Sequence, residues 1–426
     1  MSDVISAIST APGRGGVAIV RMSGAGALEI AKKLFSRKGE FVPNMMYPGR
    51  IDAGAFSDYG MCVYFRAPRS FTGEDTVEFH CHGGSAIARG ILSRTLSLGA
   101  RLAQRGEFTK RAFLNGKLSL SAAEGMAEMI NAESDAQVRA GFLLYGEKLT
   151  REGKRLQTLL TECLAGIDAD IDYPEEDLTA DTREDVRRRL EEVKAGLSAL
   201  LKQYRAGKKI ASGVNVAICG RPNAGKSSLL NALLGYDRAI VSPVAGTTRD
   251  IVEGTIEING VLFRLTDTAG LREGADEIER EGISRAERAI SAADVVICLK
   301  DGELPVSLPD VPIINVISKS DLGARGECDV LVSSATGEGL DELKRLLYEK
   351  GFGQENDGAY LMEERHFEAC RKAYASVERA LDSLSMPAEI YALEIKNAWD
   401  ELGELSGETA TEAIIDEIFA KFCVGK

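Results

Sequence analysis

The chain has 426 residues, 44% of them hydrophobic and 27% charged, and this composition is typical of an ordinary soluble protein with about three domains. Its formal net charge of −13 argues against broad, purely electrostatic binding to nucleic acid, while leaving room for a local basic patch. No window approaches the roughly 18 apolar residues of a membrane span, and the N-terminus lacks the pattern of a signal peptide.

The eight cysteines indicate the redox environment. They stand at positions 62, 81, 163, 219, 298, 328, 370 and 423, and no two form a Cys-x-x-Cys pair. This spacing argues against a disulfide framework or a zinc ribbon and suits a reducing compartment. We therefore expect a cytoplasmic protein.

The first 117 residues are rich in glycine and in β-forming residues. Short runs of alternating polar and apolar residues are separated by turns, and two longer runs have helical spacing. The predicted strands are Val4 to Ser9, Val17 to Arg21, Met61 to Phe65 and Thr76 to His82, and the predicted helices are Ala27 to Phe35 and Ala86 to Leu98. This pattern predicts a β-rich α+β domain.

Two polar groups in this region each have alternative interpretations. Glu78, His80 and His82 share one face of a predicted strand, which suits either a metal site or a polar face that lines a cleft. A basic cluster follows, which suits either a solvated face or a contact with an anion or RNA. The members of this cluster are Arg101, Arg105, Lys110, Arg111 and Lys117.

From Ser119 to about Lys209 the strand signals stop and amphipathic helical patterns dominate. Similar patterns return in the last sixty residues or so. The predicted helices are Ala122 to Ala132, Ala136 to Leu160, Thr182 to Tyr204, Arg365 to Leu384, Glu389 to Gly403 and Thr409 to Phe422. Helices on both sides of the intervening unit predict one helical domain into which that unit is inserted.

Between the helical stretches, Gly220 to Ser227 matches the pattern G-x-x-x-x-G-K-[ST]. An apolar run, Val214 to Cys219, precedes this segment and a helical pattern, Ser228 to Leu234, follows it, as in a phosphate-binding loop. The backbone N–H groups and the helix dipole of such a loop attract phosphate. We expect Lys226 to reach the outer phosphates and the Ser227 hydroxyl to hold Mg²⁺.

Further segments indicate a switch-type GTPase. Gly246-Thr247-Thr248 suits a switch loop, and Asp267 to Gly270 follows two predicted strands, Ile251 to Ile258 and Val261 to Thr266. Leu271 stands where Ras-like enzymes carry the glutamine that orients the attacking water. Hydrolysis must therefore use another device.

The base-reading segment departs from the usual Asn-Lys-x-Asp. The chain has Ser318-Lys319-Ser320-Asp321, in which Asp321 can pair with the N1 and N2 hydrogens of guanine, while Ser318 is shorter than asparagine. Ser333-Ser334-Ala335 matches the usual fifth element. Guanine is the expected base, and an ATPase that uses the same loop is the disfavoured alternative.

The alternation of strands and helices from Val214 to Tyr348 predicts a mostly parallel sheet with helices on both faces. The predicted fold class is therefore multidomain, α/β plus α. We predict an N-terminal α+β domain over 1–117, a discontinuous helical domain over 118–211 and 352–426, and an inserted Ras-like P-loop GTPase domain over 212–351.

The motifs resemble those of the MnmE (TrmE) family of tRNA-modification GTPases along essentially the whole chain. In the GTPase unit the resemblance lies in GRPNAGKSS (Gly220 to Ser228), AGTTRD (Ala245 to Asp250) and DTAGLR (Asp267 to Arg272). Elsewhere it lies in SFTGE (Ser70 to Glu74), HGG (His82 to Gly84), RGEFTKRAFLNGK (Arg105 to Lys117) and the terminal FCVGK.

The resemblance implies a homodimer that is joined through its N-terminal domains and binds 5-formyl-tetrahydrofolate, or a related folate, as a one-carbon donor. Arg21, Glu78 and Lys117 are the implied folate contacts, and Lys426 of the tail would reach the same site. Cys423 would be a functionally important thiol, in either a chemical or a structural role.

For hydrolysis, the resemblance implies GTPase domains that dimerise across the nucleotide and hold K⁺ where other enzymes place an arginine finger. Glu279 would position the water, and Asn223 and Lys226 would also be catalytic. The implied K⁺ ligands are Asn223, Ser242, Val244 and Thr247, and the implied Mg²⁺ ligands are Ser227 and Thr248. The implied GTP contacts are Asn223, Ala224, Gly225, Lys226, Ser227, Ser228, Ser242, Pro243, Val244, Ala245, Gly246, Thr247, Thr248, Asp267, Thr268, Ala269, Gly270, Lys319, Asp321, Ser333, Ser334 and Ala335.

The implied reaction adds an aminomethyl or carboxymethylaminomethyl group to carbon 5 of the wobble uridine of certain tRNAs. It would proceed jointly with an FAD-dependent partner of the MnmG (GidA) type, which uses FAD and NADH. The alternative is a GTPase switch that escorts ribosome or RNA assembly without base chemistry. The first 117 residues and the FCVGK tail favour the modification enzyme, because an assembly factor has no need of a folate pocket.

Overall fold

A computed structural model describes residues 3–172, 179–221, 223–236, 254–267, 289–300, 311–353 and 361–425. Packing divides the chain into two compact units. The first comprises Met1–Ala127, Leu149–Thr158 and Trp399–Lys426, and the second comprises Glu128–Lys148 and Leu159–Ala398. The predicted boundaries of the three domains stay a prediction.

The strands of the described residues are β1 (Ile5–Ile8), β2 (Val17–Ser23), β3 (Met46–Asp52), β4 (Ser57–Phe65), β5 (Thr76–His82), β6 (Arg101–Leu102), β7 (Val214–Gly220), β8 (Gly254–Ile258), β9 (Val261–Asp267), β10 (Val295–Leu299), β11 (Ile313–Ile317) and β12 (Val330–Leu331). The α-helices are α1 (Ala27–Leu34), α2 (Ser85–Ser97), α3 (Glu107–Leu114), α4 (Leu120–Asn131), α5 (Asp135–Tyr145), α6 (Lys148–Asp172), α7 (Thr179–Ser212), α8 (Lys226–Tyr236), α9 (Leu340–Leu347), α10 (Glu364–Asp382), α11 (Ala388–Ser406) and α12 (Glu412–Ala420).

The sheet of the first unit has the strand order β3-β4-β5-β2-β1-β6. Its pairs are antiparallel except the parallel pair of β1 and β6. Alternate residues of β2, such as Val20 and Met22, are buried in a core shared with α1 and α2. On the opposite face, Ile5 and Ala7 of β1 pack with Phe108 of α3. One face of the sheet thus packs against the core. On the other face, Arg21 and Glu78 remain partly exposed.

The sheet of the second unit has the order β12-β11-β10-β7-β9-β8 and is parallel except at the β8–β9 hairpin. Every residue of β10 is buried, which is typical of a parallel strand that is covered on both faces. The strand β7 lies between β10 and β9, so the chain leaves β7 at the centre of the sheet. Loops that follow the parallel strands therefore meet along one edge.

The helices of the second unit bury long apolar stripes. Leu190, Val193 and Leu197 of α7 recur at helical spacing and are buried, and α7 packs against α10. At one end of this pair the Tyr204 ring stacks on Phe367, with ring centroids 4.2 Å apart. Propensity alone would leave helices of this composition marginal in water, so this packing stabilises them.

The predicted fold class is confirmed, with an α+β region, a helical region and a P-loop type sheet. The predicted helix from Ala136 to Leu160 is wrong, because the chain breaks after α5 at Gly146 and Glu147, and Glu147 has a left-handed φ of 59°. The strand β3 and the helix α3 were not among the predicted elements. In β3, Pro48 and Gly49 weaken the strand pattern.

Candidate functional site

From the end of β7 to the start of α8, three of the described residues have positive φ: Gly220 at 151°, Asn223 at 64° and Gly225 at 97°. A Cβ atom at Gly220 would lie 2.9 Å from Cβ of Leu299 in β10 and 3.1 Å from its carbonyl oxygen. Only glycine allows the loop to turn so closely over the neighbouring strand. The predicted phosphate-binding loop therefore has the backbone shape that its glycines permit.

Lys226, the first residue of α8, is turned back onto this loop. Its Nζ donates hydrogen bonds to the carbonyl oxygens of Gly220 and Arg221, both at 2.8 Å. The side chain is buried, and burial lowers the pKa of its ammonium group. Its hydrogen-bond partners in the loop are neutral carbonyls, which a phosphate oxygen can replace with a stronger, charge-assisted contact.

Ser227 contacts the end of the neighbouring strand. Its Oγ donates a 2.7 Å hydrogen bond to Oδ2 of Asp267, the last residue of β9. A hydroxyl and a carboxylate at this separation are hard oxygen ligands of the kind that Mg²⁺ prefers. These two residues therefore fit a Mg²⁺ site at the start of α8. Thr248, the other predicted Mg²⁺ ligand, lies outside the described residues.

The base-reading segment follows β11 and is tied to the phosphate-binding loop. The Ser318 hydroxyl donates a 2.6 Å hydrogen bond to the carbonyl oxygen of Ala224, and Lys319 Nζ donates one of 3.2 Å to that of Asn223. Lys319 has a left-handed φ of 61°, which turns the chain directly after Ser318. The segments predicted to bind base and phosphate are thus in direct contact.

Asp321 is oriented by the last predicted element. The hydroxyl of Ser333, which is fully buried, donates a 2.6 Å hydrogen bond to Oδ1 of Asp321 and accepts one from the Thr336 backbone N–H. Asp321 itself is exposed at the edge of the sheet, and Ala335 is exposed beside it in sequence. Ser334 is half-buried. The carboxylate is therefore held in a fixed orientation while it remains accessible to a base.

The predicted nucleotide contacts converge as far as the structure describes them. The described contacts follow or end the parallel strands β7, β11, β12 and β9. They are the segments 223–228, 318–321 and 333–335 and the residue Asp267. They share the carboxyl edge of the sheet, where the order reverses at β7, the usual ligand position in such sheets. The predicted residues outside the described part are Ser242, Pro243, Val244, Ala245, Gly246, Thr247, Thr248, Thr268, Ala269, Gly270 and Glu279.

In the first unit, the predicted folate contacts Arg21 and Glu78 are directly opposed on β2 and β5. Arg21 Nε lies 2.7 Å from a carboxylate oxygen of Glu78. The Arg21 guanidinium also lies 5.7 Å from the ring centroids of Phe71 and Phe108. Sequence reasoning missed these two rings, although Phe71 belongs to the SFTGE motif and Phe108 to the RGEFTKRAFLNGK motif.

Lys117 and the tail reach this part of the unit by other contacts. Lys117 Nζ donates a 3.1 Å hydrogen bond to the Pro68 carbonyl oxygen, in the segment that leads to Phe71. The exposed Cys423 accepts a backbone hydrogen bond of 3.4 Å from Gly106. A Cβ at Gly425 would lie 2.4 Å from the carbonyl oxygen of Ile8, so the tail packs on the end of β1. Lys426 lies outside the described residues.

Two family models and several relatives match this chain. The model described as "GTP-binding protein TrmE N-terminus" matches residues 4–117, and the one described as "MnmE helical domain" matches residues 120–423. The chain belongs to the MnmE family. It is 41% identical to a protein of Thermus thermophilus and 40% identical to one of Aquifex aeolicus, both named "tRNA modification GTPase MnmE", with 100% of each chain covered. The predicted family and the predicted GTPase class are confirmed.

Three of the five members of the basic cluster of this MnmE family member, Arg101, Lys110 and Arg111, form ion pairs within the protein. Arg111 contacts Asp3, Glu74 and Glu107 at 2.7 to 3.1 Å. Arg101 contacts two of the same acids, Asp3 and Glu107, and Lys110 pairs with Asp416. These ion pairs join α3 to the start of the chain and to α12. Arg105 and Lys117 contact backbone carbonyls instead, so the two sequence interpretations, a solvated face or a contact with an anion or RNA, stay predictions.

Glu78, His80 and His82 do not converge on a common point. His80 Nε2 lies 3.1 Å from Glu78, which also binds Arg21, whereas His82 Nδ1 lies 2.6 Å from Asp58 of β4. Within the described residues, no group of three or more His, Cys, Asp or Glu side chains is arranged to hold a metal ion. The polar strand face is therefore the interpretation that the contacts support.

All eight cysteines lie in the described part of the chain and are free thiols. Burial raises the pKa of Cys62 to about 12 and that of Cys370 to about 12. Most of these thiols are core residues, and Cys423 is the exposed one. Among the described helices, none combines the length and the apolar character that a membrane span requires.

Proposed function

We propose that this member of the MnmE family hydrolyses GTP in the modification of the tRNA wobble uridine. With an FAD-dependent partner of the MnmG (GidA) type, which uses NADH, it would add an aminomethyl or carboxymethylaminomethyl group at carbon 5. The observation that carries the proposal is the match over the whole chain to relatives named for this activity. The contacts of Lys226 with the loop and of Ser227 with Asp267 support it, because a site for a phosphate and Mg²⁺ would need these groups side by side.

The hydrolytic roles follow from the chemistry of each residue. Lys226 would bind the outer phosphates, and Ser227 and Thr248 would hold Mg²⁺. Asn223 has an exposed side chain at the tip of the loop and would hold K⁺ together with Ser242, Val244 and Thr247, and bound K⁺ would offset the charge that builds on the phosphates. Glu279 would position the attacking water in place of the missing glutamine.

The N-terminal residues fit a folate in chemical character. The Glu78 carboxylate can accept hydrogen bonds from the N–H groups of a pterin, and the Phe71 and Phe108 rings provide apolar surface beside Arg21. Lys117 and Lys426 would contact the acidic end of the ligand. A bound formyl-tetrahydrofolate would supply the one-carbon unit, and Cys423 of the tail would act near this site.

The proposal includes a homodimer joined through the N-terminal domains and a cytoplasmic location. The free cysteines support a reducing compartment. It also includes the three domains with the boundaries given above, in which the GTPase domain is inserted into the helical one. Dimerisation of the GTPase domains across the nucleotide would depend on K⁺.

Mass spectrometry of tRNA nucleosides tests the pathway. In cells that lack this protein we expect loss of the 5-substituted wobble uridine, and restoration by the wild type but not by Asp267→Ala. The matched control is Asp341→Ala, because Asp341 is an exposed acid in the first turn of α9. An unchanged nucleoside profile in the deletion strain would contradict the proposal and favour a GTPase switch in ribosome or RNA assembly.

The K⁺ assignment has its own test. We expect GTP hydrolysis by the wild type to be markedly slower when Na⁺ replaces K⁺, and Asn223→Ala to be slow in both salts. Equal wild-type rates in the two salts would remove the K⁺ assignment while leaving the nucleotide site intact.

A further inference from the structure

Ser318 stands where guanine-reading GTPases carry asparagine, and its contacts in this chain are with the phosphate-binding loop. Its Oγ donates to the Ala224 carbonyl oxygen at 2.6 Å. The Ser318 Oγ also lies 3.4 Å from the position that a Cβ of Gly225 would occupy. The half-buried hydroxyl is therefore set against the backbone of the loop, two residues before Lys226.

The hydrogen-bonding capacity of serine limits what else this residue can do. A hydroxyl has one O–H donor, whereas an asparagine amide has two N–H donors. The Hoogsteen edge of guanine offers only acceptors, N7 and O6, so a contact from residue 318 would require a donor. In this chain the single donor of Ser318 is engaged by Ala224.

Asp321 can read guanine without help from residue 318. Its carboxylate accepts the hydrogen bond of the buried Ser333 hydroxyl and retains further lone pairs for the N1 and N2 hydrogens of the base. Adenine lacks the N1 hydrogen, and its N1 lone pair would face the carboxylate. Asp321 alone can therefore select guanine over adenine.

Lys319 adds a second connection between the same two segments. Its Nζ donates to the Asn223 carbonyl oxygen at 3.2 Å, at a residue whose φ is left-handed. Ser318 and Lys319 thus fix two successive carbonyls of the phosphate-binding loop, those of Ala224 and Asn223.

We propose that Ser318 is a positioning residue that holds the phosphate-binding loop and makes no contact with the base, so that guanine selection rests on Asp321. This inference rests on the proposed nucleotide site and specifies how that site divides its tasks. It explains how serine can replace the usual asparagine at position 318 without weakening the preference for guanine.

The test compares GDP with 7-deaza-GDP, which lacks the N7 acceptor, by calorimetry on the full chain. We expect Ser318→Ala to weaken both nucleotides by the same factor, roughly 3- to 10-fold, which is the usual effect of losing one hydrogen bond. Ser318→Asn should bind GDP as tightly as the wild type does, unlike Ser318→Ala. It should also introduce a preference for GDP over 7-deaza-GDP, because the second N–H of the asparagine amide can reach N7.

The ratio of the two affinities decides between a contact with N7 of the base and positioning, as in a double-mutant cycle. If Ser318→Ala lowers the affinity for GDP more than the affinity for 7-deaza-GDP, the inference is overturned and the nucleotide site stands. Unchanged affinity for both nucleotides would have the same meaning. Failure of the wild type to bind either nucleotide would instead refute the proposed nucleotide site itself. As a control for base reading, Asp321→Ala should weaken GDP more than inosine diphosphate, which keeps the N1 hydrogen but lacks the N2 amine.

Discussion

The second unit contains a buried cation, Lys226, and the first unit a half-buried one, Arg111, and the partners of these two cations differ. Lys226 in the second unit donates hydrogen bonds to neutral carbonyls of its own loop. Arg111 in the first unit is surrounded by the carboxylates of Asp3, Glu74 and Glu107. The first arrangement leaves positive charge for a ligand, and the second consumes it within the fold.

This difference explains why we expect Lys226 to bind an anionic ligand and Arg111 not to bind one. An anion that approaches Lys226 replaces weak contacts with charge-assisted ones, whereas an anion that approaches Arg111 must displace a carboxylate. The positive charge of Lys226 is also reinforced by the partial positive charge at the start of α8.

The largest effect is expected from Lys226→Ala. Because the ammonium group would contact two phosphates, we expect GDP and GTP affinity to fall roughly 100-fold, the loss of charged hydrogen bonds. Calorimetry on the full chain measures the two affinities. Lys300→Ala is the matched control, since Lys300 follows β10 on the same sheet edge but is exposed and contacts the Glu327 carbonyl. Equal losses in both variants would show that the buried lysine has no special role.

Arg111→Ala is expected to destabilise the first unit by about 2 kcal/mol, because it leaves partly buried carboxylates without their cation. The only tryptophan, Trp399, belongs to this unit, so its fluorescence in a urea titration reports the unfolding. Arg101→Ala is the control: its side chain is 44% exposed, and we expect less than about 1 kcal/mol. A larger effect for Arg101 than for Arg111 would contradict the assignment of Arg111 as the central cation.

The same cluster should make the first unit sensitive to acid. Hydrogen bonds from Arg101 and then Arg111 lower the pKa of Asp3 to about 2. Since this pKa lies below the ordinary value of 3.8, the carboxylate contributes its full stability above about pH 4 and loses it as the pH falls toward 2. We expect Trp399 fluorescence to show a shallower decline in stability over this range for Asp3→Asn than for the wild type. Parallel pH profiles would exclude Asp3 as a source of the acid sensitivity.

How far the sequence predicts these sites depends on how local their contacts are. The loop around Lys226 is fixed by neighbours within a few residues, so its glycines and its strand–helix context suffice. Arg111 instead pairs with Asp3, more than a hundred residues earlier, and no window of sequence shows that pairing. The sequence alone therefore does not show that three members of the basic cluster pair with acids of the protein.

The fold shows the same limit. Strand β5 begins and ends where alternation predicts, because both of its faces are specified by its own residues. Strand β3 carries Pro48 and Gly49 and is stabilised by full pairing with β4, a tertiary contact that overrides local propensity. The break at Glu147 depends on one left-handed residue within an otherwise helical pattern. In the site, the orientation of Asp321 by Ser333 likewise requires the folded sheet.

The smallest effect on stability is expected at the exposed thiol of the tail. The tail is held by backbone contacts, in which Gly106 donates to the Cys423 carbonyl and Arg105 to that of Phe422. Cys423→Ser should therefore change the free energy of unfolding by less than about 0.5 kcal/mol, whereas Cys62→Ser, in the core, should cost about 1–3 kcal/mol. If Cys423→Ser retains stability and GTP hydrolysis but loses tRNA modification, the thiol acts in the chemistry. A loss of stability like that of Cys62→Ser would assign it a structural role instead.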